Sequence, residues 1–332
     1  MFNTIYIEAQ VADHPRTRAI CARFPQANRV SCERYGEVFN PKSQDFRLQK
    51  QKPALILAGK HERRVLETPA GYGIGGERNY YFSHMLNCLY DCRYCFLQGM
   101  YRSAHYVLFV NYEDFYTDID AILEHAGMQP CWFFSGYDCD SLALEPVSAF
   151  AEQFLPFFAS RPQAHIELRT KSTQIRSLLN QAPLANAVVA FSFTPDEMHA
   201  ALEHRVPGVQ RRIASMRRLQ DAGWSLGLRF DPLIYQPGYR EQYRTLFQQV
   251  FSQLDGQRLH SVSLGTFRLP RGYFKNILQL YPDEPLYAGS FAESDGMISY
   301  PQEQEREITA FCSAELQKHV PESLLFPCAV AA

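Results

Sequence analysis

The sequence predicts an α/β fold: a partial (β/α)6 TIM-type barrel with N-terminal and C-terminal additions. Three observations carry that reading. Six short apolar runs, Tyr80–Leu86, Cys131–Gly136, His165–Thr170, Asn186–Phe193, Ser225–Phe230 and His260–Gly265, read as strands. The stretches between them are long enough for helical crossovers, which parallel pairing requires. Several runs end in polar or reactive residues, as expected where a β/α barrel builds its active site at the carboxyl ends of its strands.

In chain order, residues 1–76 form an N-terminal accessory segment. Thr4–Glu8 and Pro53–Ala58 read as strands there, with a helical piece around Arg16–Phe24. Gly71–Gly76 matches GxGxxG, but an extended-looking Tyr80-Tyr81-Phe82 follows it where a dinucleotide fingerprint needs a helix, so it reads as a loop. The barrel is assigned to 77–268. Its helices are expected at Asn111–Gly127 with Asn111 as cap, Pro146–Ser160, a shorter Ser172–Gln181 with Ser172 as cap, Gly208–Ala222 and Arg240–Leu254. Residues 269–332 are assigned to a C-terminal, substrate-side extension.

The 332 residues are 46% hydrophobic and 20% charged, the composition of a soluble globular protein. No run of eighteen apolar residues appears, so no membrane span and no membrane partner is expected. The first residues lack both a basic region and a long apolar core, which predicts a cytoplasmic protein. The net charge of −2 gives no global basic field for nucleic acid, although a local basic groove remains compatible with it. Nine cysteines are scattered without a disulfide-like framework; Cys21, Cys32, Cys131, Cys312 and Cys328 are expected to be mostly small buried residues.

The remaining cysteines include the most informative stretch. Cys88, Cys92 and Cys95 stand at CxxxCxxC spacing in an aromatic segment. A [4Fe–4S] cube normally takes four thiolates; three leave one iron open to chelation by a small molecule. Buried packing cysteines and a zinc site are the alternatives. Zinc motifs usually bring a second CxxC-like pair, and none is present here, although His84 and His105 flank the stretch. The spacing resembles that of radical S-adenosylmethionine enzymes, which cleave their cofactor reductively to a 5′-deoxyadenosyl radical for hydrogen abstraction. Tyr94, just before the third cysteine, fits the residue that lies beside the adenine in that family.

The chain further resembles spore photoproduct lyase and its relatives, radical S-adenosylmethionine enzymes of DNA repair. The similarity runs through Ile5–Glu8, Cys92–Gln98, Asp138–Glu145, Thr170-Lys171, Phe191-Ser192, Ala222–Gly227 and Pro232–Tyr235. It implies a C–C bond-cleaving lyase acting on pyrimidine photoproducts in DNA and supplied by a reducing electron donor. Cys88, Cys92 and Cys95 would ligate the cluster. Lys171 and Ser192 would meet the cofactor's carboxylate end, and Asp231 would sit where backbone approaches the adenine. A radical S-adenosylmethionine enzyme with another substrate, and an iron–sulfur redox or sensor module without turnover, are the alternative readings.

The chain also departs from that family. Its hydrogen-donating cysteine aligns with Tyr137, whereas Cys139 stands two residues later, at a cofactor-contacting serine. Tyr137 and Cys139 are therefore the candidate catalytic residues, and Cys139 is also a cofactor-contact candidate. The tyrosine after the third cluster cysteine is replaced by Phe96, which has no O–H hydrogen to give. Residues 286–300, corresponding to a basic hairpin, contain no Lys or Arg. Arg268, Arg271 and Lys275 nearby are candidates to restore a groove. Arg211, Arg212, Arg217 and Arg218 are further candidates for that groove, although arginines so placed usually solvate a helix face, the reading expected here.

Overall fold

The computed structural model describes residues 2–42, 44–69 and 71–327; Cys328 lies outside them. The main sheet has eight strands, in the order Leu325–Pro327, Leu259–Thr266, Ser225–Leu233, Ala187–Ser192, Ala164–Thr170, Cys131–Ser135, Arg78–Phe82 and Val65–Glu67. From Arg78–Phe82 to Leu259–Thr266, six strands pair in parallel and in chain order. Leu325–Pro327 adds a parallel strand at one edge, and Val65–Glu67 pairs antiparallel at the other. A parallel sheet is covered on both faces, so its strands read as continuous apolar runs rather than alternating ones. Cys131 to Phe134 and Ala187 to Phe191 are accordingly all buried.

Helices Tyr112–Ala126, Phe150–Ala159, Arg176–Leu179, Val209–Asp221 and Tyr239–Phe251 fall between these strands, where periodicity placed them. Local details differ from the expectation. The first run divides into Arg78–Phe82 and Met85–Leu86, because the chain leaves the main sheet at Ser83 and joins a second one. The helix expected over 146–160 breaks at Ala149, which is left-handed (φ 50°); the Glu145 carboxylate then accepts from the Ala151 and Glu152 N–H groups at 2.9 and 3.1 Å. Neither expected cap acts through its side chain at the helix end. Asn111 bridges the Lys60 N–H and C=O, each at 2.9 Å, while Ser172 accepts from Gln174 N–H ahead of a helix whose cap position is Ile175. The 71–76 segment is a loop between two strands, with no helix after it.

The second sheet has five strands, ordered Asn28–Cys32, Thr4–Glu8, Leu55–Ala58, Tyr106–Phe109 and Met85–Leu86. Three of its strands lie before residue 76, and two come from the segments flanking the CxxxCxxC stretch. At the other end of the chain, Arg268–Pro270, Met297–Ser299 and Ala292–Ser294 form a small antiparallel sheet. Its hairpin turns at Asp295-Gly296, both left-handed (φ 50° and 76°), the geometry that Asp-Gly favours in two-residue hairpins.

Helix Arg271–Leu280 of the C-terminal segment packs on the short helix Leu97–Met100 that follows the cysteine stretch. Gly99 permits this approach, because a Cβ there would stand 2.3 Å from the Tyr273 carbonyl oxygen and 2.8 Å from Ile277. Backbone cannot yield as a side-chain tip does. Gly99→Ala should therefore cost about 1–3 kcal/mol through overpacking, read as a lower urea midpoint at unchanged slope.

Candidate cofactor site

The cysteine stretch is an irregular loop fixed by distant parts of the chain. Asn87 enters it in a left-handed conformation (φ 65°), which asparagine tolerates better than most residues, and its amide donates to the Ser103 and His105 carbonyls at 2.7 and 2.8 Å. Asp91-Cys92 pairs antiparallel with Glu203-His204, and Arg93 N–H donates to the Leu202 carbonyl at 2.8 Å. The Lys50 ammonium reaches both Asp91 and Gln98, and the Tyr287 hydroxyl donates to the Arg93 carbonyl.

This loop forms one wall of a cavity of about 430 Å³ at the carboxyl ends of the parallel strands. Cys88, Cys92 and Cys95 all line it. Burial pushes all three thiols up from their ordinary range; the Lys171 charge opposes this at Cys92 and Cys95. The Tyr90 N–H lies 3.4 Å from Cys88 Sγ. Among the described residues, no three His, Cys, Asp or Glu side chains converge on a point suited to a single metal ion.

Tyr94, Lys171, Ser192 and Asp231 line the same cavity, as do Tyr137 and Cys139. The Tyr94 hydroxyl donates to Glu203, and Lys171 Nζ lies 5.5 Å from the Tyr94 ring centroid. Burial opposes the charge on Lys171, but Cys92 and Glu203 outweigh it and raise the ammonium above its ordinary value. Asp231 accepts from Arg169 at 3.2 Å. Asp140 organises the next loop: its carboxylate accepts from the Leu142 and Ala143 N–H groups, the Thr170 hydroxyl and the Lys171 N–H, at 2.6–3.0 Å. Gly136 (φ 81°) precedes it, where a Cβ would meet Ser141 Oγ at 2.6 Å.

The sequence matches the spore photoproduct lyase family over residues 75–325. The chain belongs to that family. A spore photoproduct lyase of a Geobacillus species is 24% identical over 208 residues, 60% of this chain and 59% of the relative. That of Bacillus subtilis is 22% identical over 177 residues, 53% and 52% respectively. The aligned stretches thus span little more than half of these relatives. Among solved structures, a spore photoproduct lyase variant with bound AdoMet and dinucleoside spore photoproduct superposes with a TM-score of 0.85 at 18% identity, covering 100% of this chain and 99% of the other. A spore photoproduct lyase complexed with dinucleoside spore photoproduct gives 0.84 at 17%, covering 99% and 98%. The mixed α/β fold is therefore that of the spore photoproduct lyases.

Within this family member, the nine residues singled out from sequence face one cavity, but sequence reasoning missed what stands behind them. Arg212, expected to solvate a helix face, is fully buried and donates to Glu203 at 2.9 Å and to the Ser192 carbonyl at 2.7 Å. Arg211, Arg217 and Arg218 of the same helix are exposed as expected. Burial opposes the Glu203 charge, yet Arg212, His199, Lys171 and Tyr94 hold its carboxyl well below the usual carboxylate range. The one available signal was the heptad position of Arg212 on the face of Val209, Ile213 and Met216, all buried.

The two donor candidates have different neighbours. The Tyr137 ring lies 4.5 Å from that of Tyr81 and 5.5 Å from that of Phe96, and burial pushes its phenol up to about 12. Cys139 Sγ stands 4.0 Å from His84 Nδ1, whose ring stacks on Phe150 with centroids 3.8 Å apart. Burial lowers His84 from 6.5 to about 3. The unfolded chain therefore takes up a proton that the folded one refuses, and stability falls as pH drops below about 6.5, by ~1.4 kcal/mol per unit until about pH 3. His84→Phe keeps a stacking ring without the proton. Urea unfolding at pH 6, 5 and 4 should show wild type losing stability more steeply than the variant by that amount per unit.

Proposed function

We propose that this protein is a radical S-adenosylmethionine enzyme that binds a [4Fe–4S] cluster through Cys88, Cys92 and Cys95 and repairs pyrimidine photoproducts in DNA. The observation that carries the reading is that the three cysteines share one cavity with Tyr94, Lys171, Ser192 and Asp231. The donor set fits the group, since a cube takes one thiolate on each of three irons and needs sulfurs spread along a wall rather than converging on a point. The six parallel strands and their helices read as a partial (β/α)6 barrel over 77–268, flanked by additions at 1–76 and 269–332. A cytoplasmic setting and a reducing electron donor accord with such a cluster.

When bound, cluster and cofactor supply the reductive cleavage and the radical that abstracts hydrogen. The protein's part is placement. Lys171 offers an ammonium to the cofactor carboxylate, and charge-assisted contacts of this kind are about twice as strong as neutral ones. Ser192 offers a hydroxyl to the same end of the cofactor, and the Tyr94 ring offers a face to the adenine. Asp231, paired with Arg169, lines the cavity with them. The relatives' structures were solved with AdoMet and dinucleoside spore photoproduct, which supports both ligands for this cavity.

The hydrogen returned to the product needs a donor. Tyr137 is favoured over Cys139, because its ring touches Phe96 next to the last cluster ligand, whereas the Cys139 thiol is turned toward His84. Arg268 and Tyr273 line the mouth of the same cavity.

Anaerobically reconstituted protein, given dithionite, S-adenosylmethionine and UV-irradiated DNA, should form 5′-deoxyadenosine and restore thymine residues in the DNA, followed by mass spectrometry after digestion. Deoxyadenosine without thymine would move the protein to another substrate; neither product from a protein with an intact cluster would favour the sensor reading. Lys171→Ala should retain iron and sulfide but lose cofactor binding, a change that a sensor would not register. Tyr137→Phe should still cleave the cofactor but alter the product. Unchanged product there, with altered product from Cys139→Ala, would assign the hydrogen to the thiol.

A further inference from the structure

The proposed function leaves one buried charge without a role. Glu203 is 3% exposed and stands against the same ammonium that the cofactor carboxylate would use. Its Oε1 is 4.0 Å from Lys171 Nζ, beyond hydrogen-bond distance, and also accepts from the Tyr94 hydroxyl. Its Oε2 is 2.9 Å from both His199 Nδ1 and Arg212 Nη2. Arg212 is itself anchored, with Nη1 2.7 Å from the Ser192 carbonyl and its guanidinium 5.1 Å from the Phe193 ring centroid.

Two carboxylates therefore compete for one lysine: Glu203, already in place, and that of the incoming cofactor. In a buried site an unpaired carboxylate is costly and takes whatever cation is near. Were Arg212 absent, Glu203 would keep only its contacts to His199 and Tyr94, and the nearest Lys or Arg charge would be Lys171, which needs to move only about an ångström to close a hydrogen bond.

We propose that Arg212 is a positioning residue that holds Glu203 back from Lys171 and so leaves the lysine ammonium to the carboxylate of S-adenosylmethionine. This rests on the proposed function of the cavity. It makes Glu203 a competitor rather than a helper, and this sets it apart from a scaffold. If the pair only props up the loop, removing either member harms the site. If Arg212 restrains a competitor, removing Glu203 is harmless, and removing it together with Arg212 undoes the damage of losing Arg212 alone.

The test uses the full chain, reconstituted anaerobically, with iron and sulfide content measured and S-adenosylmethionine affinity read by titration calorimetry without reductant. Arg212→Gln should weaken binding by about tenfold or more, the usual consequence of losing an outer partner of a cofactor site, at unchanged iron content. Glu203→Gln should bind as tightly as wild type or tighter. The double variant Arg212→Gln/Glu203→Gln should return to within a few-fold of wild type. Weakening in Glu203→Gln comparable to that in Arg212→Gln, or a double variant no better than Arg212→Gln, overturns the proposal. Should Arg212→Gln not fold, the other two variants still decide: wild-type affinity in both supports the proposal, and weakened affinity in either overturns it. Wild-type protein that binds no S-adenosylmethionine overturns the function and this proposal together; binding by wild type with the wrong variant pattern overturns this proposal alone.

Discussion

The pairing of six strands in parallel and in chain order is the constraint on which the site depends. It brings every loop that follows a strand to one end of the sheet, so residues as distant in sequence as Cys139, Lys171, Ser192 and Asp231 meet there without any contact arranged between them in advance. The strands also stack charge beneath the cavity. Glu167 and Arg169 share one face of their strand, and Arg229 and Asp231 one face of another, because side chains two apart point the same way. The Arg229–Glu167 pair closes at 2.7 Å with both side chains about 2% exposed, and the Arg169–Asp231 pair lies above it at 3.2 Å. Gly227 makes room, since a Cβ there would meet the Arg229 guanidinium at 2.7 Å. Buried ion pairs contribute little net stability, but breaking one leaves an uncompensated charge at a cost of about 3–5 kcal/mol. The interior below the site is thereby held to one arrangement.

The cysteine loop is a different problem, because an irregular loop has no ladder of its own. It borrows order from three directions: the Lys50 ammonium from the N-terminal segment, the Glu203-His204 strand pair from between two barrel elements, and Tyr281 and Tyr287 from the C-terminal segment. The Arg93 guanidinium stacks 3.9 Å from the Tyr281 ring centroid while pairing with Asp91 at 2.7 Å. Burial works against the Lys50 charge, and Asp91 restores much of what burial removes. Segments at both ends of the chain thus converge on the few residues between Asp91 and Met100 and fix the cysteine loop.

How much of this was legible follows from where each signal lives. The parallel strands of the main sheet were readable because burial on both faces makes them uninterrupted apolar runs. Asn28–Cys32 was not, because Asn28, Arg29 and Ser31 face outward at the edge of the second sheet and give it the look of a polar loop. The cavity residues were found because reactive side chains directly follow apolar runs, and because the resemblance to the family named several of them. Arg212 and Glu203 escaped for the opposite reason. Each lies in a stretch dense in charge, and only tertiary packing turns Arg212 inward while its neighbours Arg211, Arg217 and Arg218 remain in water. A buried arginine on an amphipathic helix carries no sequence mark beyond its position on the apolar face.

The mouth of the cavity shows how a shared fold leaves recognition open. The hairpin at Ala292–Ser299 is present, and its tip is exposed, but its charges are Glu293 and Asp295, and Arg271 at its base is already paired with Glu293 at 3.1 Å. Phosphate contacts by Lys and Arg supply most of the sequence-independent affinity for DNA and make it depend on salt; a hairpin of this composition brings no cation to them. On the proposed function, recognition of a lesion would draw on the cavity lining itself, in which Arg268 and the Arg169–Asp231 pair stand among the aromatic rings of Tyr72, Phe134, Tyr137 and Tyr273.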